Sequence, residues 1–200
     1  MNPIYLSNKG KILNLQDYPV QSEPLSSKLT LVLGGRRSGK SAFAENLLRA
    51  QPNCLYIATA AQNPLDQEMI ARIKLHQQRR AKNWQTIEES YDLAGVLRHY
   101  RQSNAIILID CLSMWVSNLL LNNQDVWKEI DKLDQVMSTH PARIICVSSE
   151  VGLSIVPDNQ LSRLFADFLG SLNQTIAQRA ERVYCLIAGL PIILKNKNLS

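Results

Sequence analysis

Eight consecutive residues match the phosphate-loop pattern G-x-x-x-x-G-K-[ST] at every position. Glycines, which lack a Cβ, let backbone N–H groups close around phosphate oxygens. Lys40 supplies a positive charge for the β- and γ-phosphates, and the hydroxyl of Ser41 is placed to bind Mg²⁺. The segment therefore predicts a site for a nucleoside triphosphate with Mg²⁺. Its residues are Gly34, Gly35, Arg36, Arg37, Ser38, Gly39, Lys40 and Ser41.

The residues on either side of this loop favour a phosphate site over a chance glycine turn. Residues 29–33 read LTLVL, which is typical of a buried parallel strand. After the loop, Phe43, Leu47 and Leu48 recur at helical spacing. The order strand, loop, helix would turn the positive end of the helix toward the bound phosphates.

Asp110 ends a second apolar run, AIILI at residues 105–109. An acid in this place holds Mg²⁺ beside the loop in many phosphate-loop enzymes. It is also a common N-cap of the following helix. The upstream loop favours the metal role, and the cap stays open as the alternative.

His76 lies in a charged segment predicted to be helical, three residues after Ile73 and on the same face. One interpretation is a partly buried histidine packed on that face. The other is a nucleophile, because a neutral imidazole can attack a phosphoryl centre near pH 7. Arg72, Arg79 and Arg80 would then neutralise phosphate charge, although a solvated basic face explains them equally well.

Three further titratable residues have less informative settings. Glu150 follows a predicted strand and could be a catalytic acid or base, or a helix cap. His99 lies near a polar helix end and His140 precedes a proline, so both are predicted at the surface.

The composition is that of a globular protein with no nucleic-acid surface. The chain has 200 residues, 46% of them hydrophobic and 20% charged, and a net charge of +5. Only 6% are aromatic, and Lys and Arg are scattered rather than striped, which argues against nucleic-acid binding. The four cysteines have no metal-binding spacing, so free buried thiols and a cytoplasmic location are expected. No apolar stretch reaches the length of a membrane span.

The chain divides into an aperiodic N-terminal extension, residues 1–27, and a domain over residues 28–200. Within the domain, predicted strands alternate with predicted helices, which indicates an α/β fold with a mainly parallel sheet flanked by helices. Ligands are then expected at the carboxyl ends of the strands. The predicted strands are 29–33, 54–59, 105–110, 143–148, 182–188 and 191–195, and the predicted helices are 40–51, 65–80, 90–101, 112–121, 125–139 and 160–181.

Taken together, the chain resembles the bifunctional cobinamide kinase/cobinamide-phosphate guanylyltransferase family of cobalamin biosynthesis over residues 28–195. The resemblance rests on segments such as LVLGGRRSGKSAFAE, DQEMIARIKLHQQRRAKNWQTIEE and AIILIDCLSMWVSNLL. It departs from the family pattern at Arg36, where a small residue is usual, at Ala81, where proline is common, and at Ser149, where asparagine is common.

The resemblance implies a RecA-like P-loop NTPase fold, a homo-oligomer and two reactions. Adenosylcobinamide would be phosphorylated by ATP or GTP, and GMP would then pass from GTP to adenosylcobinamide phosphate. His76 would carry the GMP as a guanylyl-histidine, and Lys40 would assist the transfer. Ser41 and Asp110 would hold Mg²⁺.

The nucleotide contacts that the resemblance implies fall on Gly34, Gly35, Arg36, Arg37, Ser38, Gly39, Lys40, Ser41, Thr59, Ala60, Ala61, Gln77, Gln78, Arg79, Arg80, Glu88 and Asp110.

Two competing readings remain at this point. A small-molecule kinase with a single activity would need the phosphate loop but not His76. A RecA-like ATPase coupled to nucleic acid would need a basic, aromatic-rich surface, which the sequence does not favour.

Overall fold

A computed structural model describes residues 27–61 and 84–197 of the chain. In this part the structure has seven strands and five helices. The strands are β1 Leu29–Gly34, β2 Cys54–Ala58, β3 Gln85–Glu88, β4 Ile106–Asp110, β5 Ile144–Val147, β6 Arg182–Ile187 and β7 Leu190–Asn196. The helices are α1 Lys40–Leu47, α2 Leu93–His99, α3 Leu112–Leu121, α4 Val126–Thr139 and α5 Gln160–Arg179.

The strands form a single sheet in the order β3-β2-β4-β5-β1-β6-β7. Every neighbouring pair is parallel except β6 and β7, which are antiparallel. This confirms the predicted α/β class with a mainly parallel sheet flanked by helices. Because the parallel strands run the same way, the loops that follow β1, β2, β4 and β5 all lie at one edge.

Both faces of the sheet are covered, which explains the nearly continuous apolar strands. Successive side chains of a strand point to opposite faces. Leu31 therefore packs in one cluster with Trp115 of α3, whereas Val32 packs in the other with Phe43 of α1. The three central strands of the sheet, β1, β4 and β5, are buried along almost their whole length.

Strand β3 was missed by the sequence analysis. Three of its four residues are exposed and only Ile87 is apolar, so the segment lacks both signals of a strand. It forms at the edge of the sheet because β2 provides a parallel partner, with Ala58 in register with Glu88. Helix α1 also ends four residues earlier than predicted, at Leu47. The predicted helix at 65–80 lies outside the described residues.

The prediction of a surface position for His140 is wrong. Its side chain is buried, with 2% exposure. Nδ1 accepts a hydrogen bond from the backbone N–H of Ala142 at 3.2 Å, so the proton is on Nε2, which donates to the carbonyl oxygen of Leu97 at 2.9 Å. His140 was assigned to an exposed turn because it precedes a proline. Its ring instead packs against α2, where it bonds to the carbonyl oxygen of Leu97. His99 is exposed, as predicted.

The four cysteines are free thiols, but only two are buried. Cys54 and Cys146 lie inside the sheet, and burial raises the pKa of each thiol to about 12. Cys111 and Cys185 are partly exposed as residues, contrary to expectation. Cys111 directly follows β4, and Cys185 lies in β6 beside the edge strand β7. In the described part of the chain, no helix combines the length and the apolar character needed to cross a bilayer.

Candidate nucleotide and metal site

The phosphate loop connects the end of β1 to the start of α1. Gly34 has φ of +152°, and a Cβ added there would lie 2.6 Å from both the Leu186 carbonyl oxygen and Ser38 Oγ. Gly39, with φ of 90°, is the N-cap residue of α1. Both positions need glycine because other residues rarely adopt such backbone angles. The loop therefore brings its backbone to the N-terminus of a buried helix, as the sequence predicted.

Lys40 lies over this loop. Its Nζ donates a hydrogen bond to the carbonyl oxygen of Gly35 at 2.7 Å. The backbone N–H of Ser38 also points to this oxygen, at 3.3 Å. The ammonium group is thus held next to the turn whose N–H groups would surround the phosphates. Arg36 and Arg37 are exposed on the outer side of the turn.

Ser41 and Asp110 meet although they are 69 residues apart. Ser41 Oγ donates to Asp110 Oδ1 at 3.0 Å, which joins the first turn of α1 to the end of β4. A hydroxyl and a carboxylate are oxygen ligands of the kind that Mg²⁺ prefers, completed in such enzymes by phosphate oxygens and water. The donor set therefore fits Mg²⁺. No group of three or more His, Cys, Asp or Glu side chains suited to a metal occurs among the residues that the structure describes.

The helix-cap alternative for Asp110 is wrong. The N-cap residue of α3 is Cys111, whose side chain makes no capping hydrogen bond. Asp110 instead directs its second oxygen to the hydroxyl of Tyr56, which donates to Oδ2 at 2.5 Å. Burial, and then the charge of Asp110, raise the pKa of the Cys111 thiol. That thiol is therefore neutral and unsuited to act as a nucleophile.

The side chain of Thr59, a residue predicted to contact the nucleotide, is hydrogen-bonded to the backbone of Cys111. Its hydroxyl donates to the carbonyl oxygen of Cys111 and accepts from the N–H of Cys111, both at 2.7 Å. Asn118 of α3 donates to the Thr59 carbonyl oxygen at 2.7 Å. These bonds fix the end of β2 against the end of β4. Ala60 and Ala61 follow at the same edge and are partly exposed.

Glu88 lies at the same edge but not in the phosphate loop. Ala58 is in register with Glu88 on one side and with Asp110 on the other. Two strand spacings therefore separate Glu88 from Asp110, or about 10 Å. Glu88 is exposed. Strand β3 is four strands from β1, or about 19 Å, so Glu88 lies away from the phosphate loop, and its contact with the nucleotide stays a prediction.

Glu150 lies next to the phosphate loop. Its backbone N–H donates to the carbonyl oxygen of Gly34 at 3.0 Å. Its carboxylate accepts from the N–H of Gly152 at 2.7 Å. The next described helix, α5, begins ten residues later and is capped by Asn159, so Glu150 is not a helix cap. Its role as an acid or base stays a prediction.

Tyr56 is the site residue that sequence reasoning missed. It sits within the apolar strand CLYIA, where the only signal is a buried hydroxyl that requires a hydrogen-bond partner. The remaining predicted site residues lie outside the described residues. They are His76, Gln77, Gln78, Arg79 and Arg80.

Comparison with known proteins finds a family of nucleotide-using enzymes, which agrees with a nucleotide site at the phosphate loop. Residues 30–194 match the family model described as cobinamide kinase / cobinamide phosphate guanyltransferase. The chain is 44% identical to the bifunctional adenosylcobalamin biosynthesis protein CobP of Pseudomonas aeruginosa over an alignment of 172 residues, and the alignment covers 84% of this chain and 98% of that protein. It is 35% identical to the corresponding protein CobU of Escherichia coli, and that alignment covers 84% of this chain and 99% of that protein.

Among solved structures, an ATPase of the type III secretion system of pathogenic bacteria aligns with a TM-score of 0.52 and 9% identity. The alignment covers 80% of this chain and 51% of the other. At this identity the likeness shows the fold alone.

Proposed function

Because the chain belongs to the cobinamide kinase/cobinamide phosphate guanyltransferase family and is therefore a transferase, we propose that it carries out two successive transfers in adenosylcobalamin biosynthesis. In the first, the γ-phosphoryl group of ATP or GTP passes to a hydroxyl group of adenosylcobinamide. In the second, GMP passes from GTP to the new phosphate, giving adenosylcobinamide-GDP and pyrophosphate.

The observation that supports this proposal best is that the start of α1, with Lys40 and Ser41, meets Asp110 at the end of β4. Lys40 lies over the loop, and Ser41 is hydrogen-bonded to Asp110. Phosphoryl transfer needs little covalent help from a protein, and it depends on positioning and on neutralising phosphate charge. These residues supply both requirements at one place.

In the kinase step, the substrate hydroxyl oxygen attacks the γ-phosphorus, the bond to the β,γ-bridging oxygen breaks and a nucleoside diphosphate leaves. The loop N–H groups and Lys40 would stabilise the charge on the phosphate oxygens. Ser41 and Asp110 would hold Mg²⁺, which when bound neutralises charge on the β- and γ-phosphates. Glu150 would accept the hydroxyl proton; support for this role is its backbone bond to Gly34, which brings the residue beside the loop.

In the guanylyl step, a ring nitrogen of His76 attacks the α-phosphorus of GTP, a P–N bond forms and pyrophosphate leaves. A phosphate oxygen of adenosylcobinamide phosphate then attacks the same phosphorus, the P–N bond breaks and the imidazole is restored. Support for His76 is the resemblance of its segment to the family pattern and the chemistry of imidazole. We further propose that the chain is a homo-oligomer, as the family resemblance implies.

Labelling with GTP that carries a radioactive α-phosphate tests the guanylyl step. We expect the wild-type protein to take up label that is stable in base and lost in acid, as for a phosphoramidate. His76→Asn should take up none. His99→Asn, at an exposed histidine of α2, is the matched control and should label normally. If the wild type takes up no label, or if His76→Asn labels equally, the covalent mechanism is wrong.

The same variants test the alternative of a kinase with a single activity. That alternative requires Lys40→Ala to abolish phosphoryl transfer, and His76→Asn to retain all the activity of the wild type. Our proposal requires His76→Asn to retain the kinase step and lose GMP transfer. A wild-type protein that phosphorylates adenosylcobinamide but forms no GDP derivative would support the single activity.

A further inference from the structure

Tyr56 is a buried residue behind the site that the two proposed transfers do not use directly. Its side chain is 2% exposed. Its hydroxyl donates to Asp110 Oδ2 at 2.5 Å, while Ser41 Oγ donates to Oδ1 at 3.0 Å. The two oxygens of one carboxylate are thus held by two different elements, β2 and α1. This arrangement fixes the rotation of the carboxylate about its last bond, which is otherwise a soft torsion.

The ring of Tyr56 is itself held in place. It stacks on Trp84, with ring centroids 6.4 Å apart and an angle of 27° between the planes. It lies in the same buried cluster as Phe43 of α1, Leu48 immediately after that helix, and Leu108 of β4. The position of the hydroxyl is therefore set by packing, and the carboxylate adjusts to it rather than the reverse.

We propose that Tyr56 is the positioning residue of the metal site: by holding Oδ2 of Asp110, it keeps Oδ1 turned toward Ser41 and the metal. This inference rests on the proposed function, because it assumes that Ser41 and Asp110 hold Mg²⁺. Hydrogen bonds to a ligating carboxylate orient the ligand, and their loss commonly lowers metal affinity 10- to 100-fold. Removal of the Tyr56 hydroxyl takes away one of the two hydrogen bonds, from β2 and α1, that set the rotation of the carboxylate.

Tyr56→Phe removes the hydroxyl and keeps the ring and its stacking. The matched control is Tyr184→Phe. Tyr184 is also a buried tyrosine of the same cluster, 3% exposed and packed edge-on against Phe43 at 5.1 Å. It lies on β6, four strands from β2, and is therefore about 19 Å away along the sheet. A loss that reflects general packing should appear in both variants.

The measurement is binding of Mn²⁺, as a spectroscopic substitute for Mg²⁺, to the protein with a non-hydrolysable GTP analogue. The loss of the signal of free Mn²⁺ in electron paramagnetic resonance gives the affinity. We expect Tyr56→Phe to weaken Mn²⁺ binding about 10-fold or more, and Tyr184→Phe to leave it unchanged. Binding of the analogue without metal should be the same in all three proteins. Wild-type Mn²⁺ affinity in Tyr56→Phe would overturn the proposal, whatever happens to thermal stability.

Two further experiments separate failure of the metal site from failure of the positioning role. Ser41→Ala tests the proposed metal site itself: if it binds Mn²⁺ as the wild type does, the metal assignment is wrong. A site that depends on Ser41 but not on Tyr56 overturns only the positioning role. Should Tyr56→Phe not fold, the wild type provides the test, because bound Mn²⁺ should broaden the nuclear magnetic resonance signals of labelled Tyr56 far more than those of Tyr184. Equal broadening would contradict the proposal.

Discussion

At the scale of single residues, the phosphate loop contains two adjacent glycines with different constraints. A Cβ on Gly34 would collide with the Leu186 carbonyl oxygen and Ser38 Oγ, and the φ of +152° disfavours any side chain. A Cβ on Gly35 would meet nothing within 4 Å. The first glycine is required by space and backbone angle, whereas the second is not.

We therefore expect Gly34→Ala to destabilise the fold by roughly 2 kcal/mol or more, because strain and overpacking add. It should also weaken nucleotide binding, since the loop backbone must shift. Gly35→Ala should stay within about 0.5 kcal/mol of the wild type. Urea unfolding and titration with a GTP analogue measure the two effects. Equal losses of stability in both variants would contradict this account.

Residue types and spacing predicted the loop, Lys40 and Ser41, because this motif is local in sequence. They left Asp110 with two roles, since a carboxylate after a strand can bind a metal or cap a helix. Only the structure shows Cys111 at the N-cap of α3 and Tyr56 against Asp110. That contact depends on β2 lying beside β4, which no local pattern specifies.

At the scale of elements, α2 is tied to the segment before β5 by the buried ring of His140. Nε2 donates to the Leu97 carbonyl oxygen in α2, and Nδ1 accepts from Ala142. Burial lowers the pKa of His140; the hydrogen bond to Leu97 opposes this decrease, and the positive charge of Arg101 adds to it. Protonation of Nδ1 would place an N–H where this nitrogen now accepts a hydrogen bond from Ala142. The two hydrogen bonds therefore require the neutral ring.

This predicts a pH dependence of stability. The lowered pKa in the folded state means that unfolding takes up a proton below the ordinary pKa of about 6.5. The contribution of His140 is complete above that value, and it is lost as the pH falls toward the lower pKa of the folded protein. We expect the free energy of unfolding in urea to fall between about pH 7 and about pH 5. His140→Gln should be less stable at neutral pH but show a flatter profile, whereas His99→Gln should keep the wild-type profile.

Elements with strong apolar patterns were predicted correctly, and those without them were not. The amphipathic helix α5 was located to within two residues of its end, because Leu169, Leu172 and Ile176 pack in the core, although Leu161 and Leu164 at its start are exposed. Strand β3 has almost no apolar pattern and forms only by pairing with β2. Such an edge strand is specified by its partner rather than by its own residues.

At the scale of the whole molecule, the order of strands could not be read from the sequence. Strand β1 lies between β5 and β6, and the chain crosses two strands between β1 and β2. This crossing places the phosphate loop beside Glu150 after β5 and one strand further from Asp110 after β4. Alternating strands and helices predicted the layers, whereas the neighbours of each strand are set by packing over the entire sheet.

Residues 1–26, which are all but the last residue of the N-terminal extension, are predicted to be dispensable for the fold. The family model begins to match at residue 30, and the two relatives are covered almost completely by 84% of this chain. Ser27 is buried, and the N–H of Lys28 donates to Glu181 Oε2 at 2.7 Å, so the structured domain must include both. A chain without residues 1–26 should therefore keep the wild-type melting temperature and both transfer activities.

A second deletion, of residues 1–29, is the matched control. It removes the bond from Lys28 to Glu181 and also Leu29, which pairs with Ile144 at the start of the sheet and packs in the larger apolar cluster. Loss of one buried leucine commonly costs about 2–5 kcal/mol, so this chain should melt at a clearly lower temperature. Thermal unfolding followed by circular dichroism distinguishes the two. If the shorter deletion is as destabilising as the longer one, residues 1–26 contribute to the fold and the boundary is misplaced.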